Sequence, residues 1–187
     1  LEELIEEGLL TEEECDKVDF GNRIDKVNYE KLYNGRFKLL KKAYKKSNIS
    51  EKEDFDKFKS ENCYWLNDYA MFMAIKDRFN GQSFDKWAED IKLRWGYSME
   101  YYQNELKDEI EFYKFIQYEF YRQWYKLKKY ANENGIKIIG DIPIYVAYDS
   151  ADVWAHPELF QMDENGKPVA VAGCPPDGFS ATGQLWG

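Results

Sequence analysis

The chain has 187 residues, 26 of them basic and 35 acidic, for a formal net charge of −9. That balance excludes the basic face a nucleic-acid partner needs and disfavours an anionic membrane surface, and no apolar run approaches the roughly 18 residues of a membrane span. The length suffices for one sizeable core but not for a complete (β/α)8 barrel, which takes about 250 residues.

Leu1–Gly8 reads as the end of a helix stopped at Gly8. Thr11 with Glu14 three residues later is a capping box that opens a short helix, and Gly21 breaks the pattern within Val18–Asn22. From Asn28 to Ser47, Tyr29, Leu32, Tyr33, Phe37, Leu40 and Tyr44 recur at steps of three and four, which predicts a helix with one apolar stripe. Lys41, Lys42, Lys45 and Lys46 crowd its carboxyl end, where cations suit the helix dipole; the run is read as a solvated face. Ser50 with Glu53 predicts a second capping box, opening a helix that carries Phe55 and Phe58. In Glu61–Phe79 the apolar residues Trp65, Leu66, Tyr69, Phe72, Met73 and Ile75 lie on more than one side. That predicts a helix buried over most of its surface, closed by Asn80-Gly81. Ser83 is expected to cap a short piece with Phe84 and Trp87 on one face. Ser98–Asn134 is predicted as one long helix, with Leu106, Ile110, Tyr113, Ile116, Phe120, Trp124, Leu127 and Ala131 in register, ended by Gly135.

Residues 135–187 change character. Ile136–Ile139 is a short apolar run that ends at Gly140-Asp141, which predicts a buried parallel strand. A helix running straight into a strand is half of a βαβ unit. In a barrel or open sheet the residue at a strand's carboxyl end faces the ligand crevice, which makes Asp141 a candidate site residue. The alternative is a carboxylate that accepts backbone N–H groups in the turn. Asp149 and Asp152 precede Val153-Trp154, and at least one of them is expected to cap a helical turn. Asp163–Pro168, with Asn165-Gly166 at its centre, predicts a tight hairpin; its acids lack the spacing of a calcium loop.

Cys174–Gly187 carries the most chemistry. Pro175-Pro176 stiffens the backbone and Gly173, Gly178 and Gly183 let it turn sharply. Phe179 and Trp186 offer rings for a pyranose face, while Asp177 and Gln184 offer partners for hydroxyl groups. The competing reading buries Trp186 in a small cluster under the loop. Cys15, Cys63 and Cys174 are far apart with no C-x-x-C, consistent with free thiols in a reducing, cytoplasmic setting. His156 is the single histidine and has no cluster around it, so neither a metal site nor an organic cofactor is expected. Most of the fifteen tyrosines are read as boundary residues, ring buried and hydroxyl wet.

GDIPIYVAYDSADVW followed by PPDGFSATGQLWG resembles the pattern of amylomaltases, the 4-alpha-glucanotransferases of glycoside hydrolase family 77. VDFGNRIDKVNYEKL, ENCYWLNDYAMFMAIKDRF and FYRQWYKLKKYANENGIKIIGD extend the resemblance over nearly the whole chain. It departs at Tyr148, where some relatives carry an acid, and at Gly178, where an aromatic is common. The resemblance implies an α/β fold: an α-rich fragment of a TIM barrel with helical insertions, drawn from the middle of a longer protein. Residues 1–134 would form the mainly helical part, and 135–187 the barrel strand with the acceptor-side loop. The implied activity is transfer of α-1,4-glucan segments to the 4-hydroxyl of an acceptor glucan or glucose, by a retaining double displacement. By the same resemblance Asp141 lies near the sugar at the scissile bond, and Asp177, Phe179, Gln184 and Trp186 match positions that contact the glucan. Retaining transfer needs a nucleophile and an acid/base roughly 5–5.5 Å apart. In the family these sit on later strands, so no catalytic residue is assigned here and the chain alone is expected to be inactive. The rivals are a non-catalytic helical interaction module and a plain α-glucan hydrolase of the same clan. An open edge on the 136–141 strand also predicts self-association.

Overall fold

A computed structural model describes residues 1–23 and 25–186. Its helices are α1 (Glu2–Glu6), α2 (Glu12–Asp16), α3 (Tyr29–Lys46), α4 (Glu53–Glu61), α5 (Cys63–Arg78), α6 (Glu89–Lys92), α7 (Gly96–Glu105), α8 (Lys107–Glu133) and α9 (Ala151–Ala155). Two short strands follow, β1 (Gly173–Cys174) and β2 (Gln184–Leu185), paired antiparallel with Gly173 opposite Leu185.

Local chemistry sets many of these boundaries. The capping box at α2 is complete: Thr11 Oγ1 accepts the Glu14 N–H at 3.2 Å and Glu14 Oε2 accepts the Thr11 N–H at 3.1 Å. Asn28 caps α3 by accepting the Lys31 N–H. The carboxyl end of α8 closes in a Schellman motif. Gly135 takes φ +76, its N–H donates to Asn132 O, and the Ile136 N–H donates to Ala131 O. Asn80 ends α5 in the same way, with its φ at +54 and the Gly81 N–H donating to Lys76 O.

Three cap and helix expectations are corrected. Ser50 does not cap α4; residues Ile49–Glu51 wind a 3₁₀ turn and the helix starts after Lys52 with no side-chain cap. Glu53, Asp54 and Asp56 in its first turn complement the dipole instead. Ser83 makes no side-chain cap bond to the turn Phe84–Lys86; the Phe84 N–H is accepted by Asp149 from across the fold. The long helix is two, because Leu106 leaves the α region at φ −108 and ψ 24. The Leu106 N–H still donates to Tyr102 O and its carbonyl accepts from Ile110, so the apolar register passes through the break unchanged.

The core is a helical layer centred on α5 and α8. Leu66, Ala70, Phe72, Ala74 and Ile75 of α5 are buried with Ile110, Phe112, Tyr113 and Phe115 of α8. Leu39 and Ala43 of α3 and Phe55 and Phe58 of α4 close its sides. Each fully buried large side chain contributes about 1.5–3 kcal/mol. Tyr113 buries its ring and donates its hydroxyl to Asp77 Oδ2 at 2.6 Å. The predicted stripe of α3 is only partly in this core. Phe37, Leu40 and Tyr44 pack against it, whereas Tyr29 and Tyr33 near the start of the helix are exposed.

The buried strand expected at 136–141 is not formed. The segment from Ile136 to Val146 belongs to no ladder, and Ile139 is 93% exposed. A parallel strand takes its hydrogen bonds from flanking strands, and no strand flanks this segment among the described residues. No helix among them is long and apolar enough to cross a membrane.

Candidate functional site

The segment from Tyr148 to Trp186 is anchored to the helical layer through α9. Ser150, not an aspartate, is its N-cap, with Oγ accepting the Val153 N–H at 3.3 Å. Asp149 instead forms an ion pair with Lys76 of α5 and accepts the Phe84 N–H at 3.2 Å. Its neighbour Asp152 lies in the first turn of α9, where it complements the dipole. Trp154 is buried, donates its indole N–H to Ile91 O at 3.1 Å, and carries the Arg94 guanidinium 4.3 Å from its ring. Phe72 and Trp87 flank the same indole with ring centroids at 5.8 and 5.9 Å.

Tyr148 links this cluster to the first of two hairpins. Its ring lies 5.1 Å from Phe84, and its hydroxyl donates to Gly166 O at 2.9 Å. Burial pushes its ionisation upward. Gly166 is in the predicted hairpin turn, which forms: Asp163 donates its N–H to Lys167 O at 2.8 Å, and Met162 bridges Pro168. Asp163 accepts the N–H groups of Lys167 and Asn165, and these bonds hold its carboxyl below the usual range. An apolar cavity of about 500 Å³ lies beside this turn, lined by Tyr145, Tyr148, Phe160, Met162 and neighbours. None of the five candidate residues lines it.

The second hairpin carries four of those five. β1 and β2 lie so close that a Cβ on Gly173 would overlap Gln184 O, and one on Gly183 would sit 2.5 Å from Cys174 O. Gly183 also takes φ +72, a region open to glycine at little cost. At the tip, Asp177 Oδ1 accepts the N–H groups of Phe179 and Ser180, both at 2.8 Å. Its carboxylate therefore shapes the turn, while Phe179 projects fully exposed. Gln184 and Trp186 are brought together: Gln184 Oε1 accepts the indole N–H at 2.9 Å. Trp186 is half-exposed and its ring lies 5.8 Å from Tyr145. Its backbone N–H donates to Ala172 O at 2.7 Å, which fixes where the indole leaves the hairpin.

Asp141 stands apart from this pair. It is exposed, and one of its carboxylate oxygens accepts the Ile142 N–H at 2.8 Å. Tyr145 was missed by sequence reasoning. Nothing beside it in sequence singles it out, and its tilted contact with the Trp186 ring joins residues 41 positions apart. The structure thus presents a closely paired hairpin with an open indole, a neighbouring phenol ring and an amide that orients the indole. Such a surface can hold a flat apolar ring face and bond the hydroxyls at its rim. His156 is an exposed loop residue whose Nδ1 lies 3.2 Å from Glu158. No metal-ligating cluster occurs among the described residues.

Comparisons with known proteins agree along the whole chain. A family model described as 4-alpha-glucanotransferase, glycoside hydrolase family 77, matches residues 1–187. A 4-alpha-glucanotransferase of Clostridium butyricum is 47% identical over 188 aligned residues, covering all of this chain and 39% of that protein. One of Streptococcus pneumoniae is 46% identical, covering all of this chain and 37% of its own length. Among solved structures, the amylomaltase of Streptococcus agalactiae in complex with acarbose superposes with a TM-score of 0.91 at 39% identity, over all of this chain and 38% of that one. The chain therefore spans less than two-fifths of the relatives it matches. Its architecture is an α-rich portion of a (β/α)8 barrel with helical insertions, too short to close the barrel. By sequence and by fold the chain belongs to the 4-alpha-glucanotransferase family, glycoside hydrolase family 77.

Proposed function

We propose that this chain is the acceptor-side portion of a 4-alpha-glucanotransferase. The intact activity would cleave an α-1,4-glucan, hold a glycosyl-enzyme intermediate and pass it to the 4-hydroxyl of another glucan or glucose. The observation that carries this reading is the Gln184–Trp186 pair on its hairpin: an open indole whose edge is already fixed by an amide. The Streptococcus agalactiae relative, solved with acarbose, supports a glucan ligand. Residues 1–134 act as the helical support and 135–187 as the part that meets substrate. Asp141, Asp177 and Phe179 are assigned to the glucan as well, with Asp177 acting mainly through the shape of the loop tip.

The nucleophile and acid/base are assigned to no residue of this chain. A site on the acceptor side raises transfer by orienting the incoming hydroxyl, not by chemistry of its own. No metal or organic cofactor has a part in it, and the setting is cytoplasmic. The test is glucose release from maltotriose. The purified chain is expected to show none, and sustained release that survives repurification would overturn the assignment. In a protein extended to the length of the relatives, Trp186→Ala is expected to shift products from transfer towards hydrolysis. An unchanged product ratio there would favour a plain hydrolase site.

A further inference from the structure

We propose that the groove between α4 and α8 is a second α-glucan docking surface, separate from the Trp186 hairpin; it rests on the glucan activity proposed for the chain. The groove has a volume of about 400 Å³ and is walled by Phe58, Tyr118, Tyr121 and Tyr125. The rings form a continuous wall: Phe58 lies 5.7 Å from Tyr118 and 5.6 Å from Tyr121, and Tyr121 lies 5.8 Å from Tyr125. Tyr118 and Tyr121 are half-buried against the core, so their rings are held in place, while Tyr125 is exposed.

The helix period explains why this face stays open. With 3.6 residues per turn, positions 118, 121, 125 and 129 fall on one side of α8 and positions 116, 120, 124, 127 and 131 on the other. The second side is the apolar stripe that a barrel helix turns towards its sheet. The tyrosines therefore face away from the barrel side.

Charge selects the ligand class. Three cations touch the groove, and all three are already paired: Arg122 with Glu3, Glu7 and Glu119, Lys126 with Glu3, and Lys129 with Glu133. Each cation on this wall already faces a carboxylate, so among the described residues it presents no uncompensated cluster of positive charge for a polyanion. The remaining charge is Asp54, which has no ion-pair partner among the described residues and can accept hydroxyl hydrogen bonds. The hydroxyls of Tyr118, Tyr121 and Tyr125 likewise have no protein hydrogen-bond partner among the described residues. Flat ring faces, three unpartnered phenols and one carboxylate on a wall of otherwise paired charge fit a neutral polyol with apolar ring faces. A linear α-glucan is such a ligand.

The test is calorimetric titration of the 187-residue protein with maltoheptaose, comparing wild type, Trp186→Ala, Tyr125→Ala, Tyr125→Phe and the Trp186→Ala/Tyr125→Ala double variant. Tyr125 is exposed, so its replacement leaves the core intact; melting temperatures check this. Binding is expected to persist in Trp186→Ala and to weaken by about tenfold more in the double variant, with Tyr125→Phe close to wild type. Binding that Trp186→Ala abolishes would overturn the groove and leave the hairpin reading standing. Binding that Tyr125→Ala weakens and Trp186→Ala does not touch would support the groove and count against the hairpin. Affinity unmoved by Tyr125→Ala in both backgrounds overturns the groove, as does absence of binding in wild type. So does a tyrosine effect confined to self-association, since the face would then be a contact between copies.

Discussion

Gly183 holds the β1–β2 hairpin in a shape that only a residue without a Cβ fits. Its φ of +72 and the 2.5 Å approach of Cys174 O to a built Cβ both resist a side chain. Gly183→Ala is expected to open the β1–β2 pair at a cost of roughly 1–3 kcal/mol of local strain and to weaken maltotriose binding with it. Gly178, which meets nothing within 4 Å and has an ordinary φ, is the control: Gly178→Ala is expected to leave both binding and melting unchanged. Equal effects of the two substitutions would show that the hairpin is not the binding element. At this scale the sequence was most legible where partners are near in the chain. Thr11 and Glu14 complete their capping box within four residues, so the motif can be read directly. Asp149 could not be read the same way. Its partners are Lys76 and Phe84, far upstream, and nothing beside it in sequence distinguishes a docking carboxylate from a cap. Asp141 and Asp177 behave alike: both are acids with functional promise, and both bond backbone N–H groups of their own turns.

Between elements, the clasp of α1 on α8 has a pH signature. Glu119 is buried on α8, and burial lifts its carboxyl above the usual range, opposed by Arg122. A raised carboxyl binds its proton more readily in the folded chain than in the unfolded one. Its contribution is therefore present in full at low pH and is lost as pH rises from about 4.5 through the folded value. Glu14 has the opposite sign. Lys42 and Lys46 bring it down to about 2, so its contribution is present above 4.5 and is lost as pH falls towards 2. Glu119→Gln is expected to flatten the stability profile on the neutral side, and Glu14→Gln on the acid side; urea unfolding across pH 2–7 reads both. A profile unchanged in Glu119→Gln would mean that its charge is well solvated. Arg122→Met is expected to cost about 3 kcal/mol at pH 7, because it strands a buried carboxylate, and progressively less as pH falls and that carboxylate takes up a proton. On the other side of the layer, Trp154→Ala is expected to cost about 3–5 kcal/mol, chiefly by leaving a cavity among Phe72, Trp87 and Arg94; the Ile91 carbonyl loses the indole N–H but keeps the Arg94 backbone N–H. Differential scanning calorimetry checks it, and a loss under 1 kcal/mol would contradict the anchoring role of α9. The long helices were legible from the helix period, whereas the single turn of α6 is too short to show one; the break at Leu106 was not legible either, since its hydrogen bonds and apolar phase run on through it.

Over the whole molecule, apolar surface is unevenly spent. The helical layer is well packed, yet Phe120 and Leu127 on α8 and Ile139, Ile142 and Ile144 beyond it are exposed. Relatives that share this fold are more than twice as long, and a barrel supplies the strands such a face packs on. The chain on its own is expected to bind a hydrophobic dye and to associate as concentration rises. Light scattering that reports a monomer at every concentration would contradict this. The apolar run at 136–139 was legible as a strand sequence, but pairing is a property of neighbours, and none lies beside it among the described residues. The family was legible because its signature is a string of ordered residues and needs no packing to be seen. Whether the Gln184–Trp186 hairpin holds the sugar is read from the Trp186 indole N–H resonance while maltotriose is added. A saturable shift of that resonance is expected, as the sugar competes for the Gln184 amide, with weakened binding in Trp186→Ala at an unchanged melting temperature. A resonance that stays fixed while sugar binds, or a Trp186→Ala protein that melts earlier and binds as before, would contradict it.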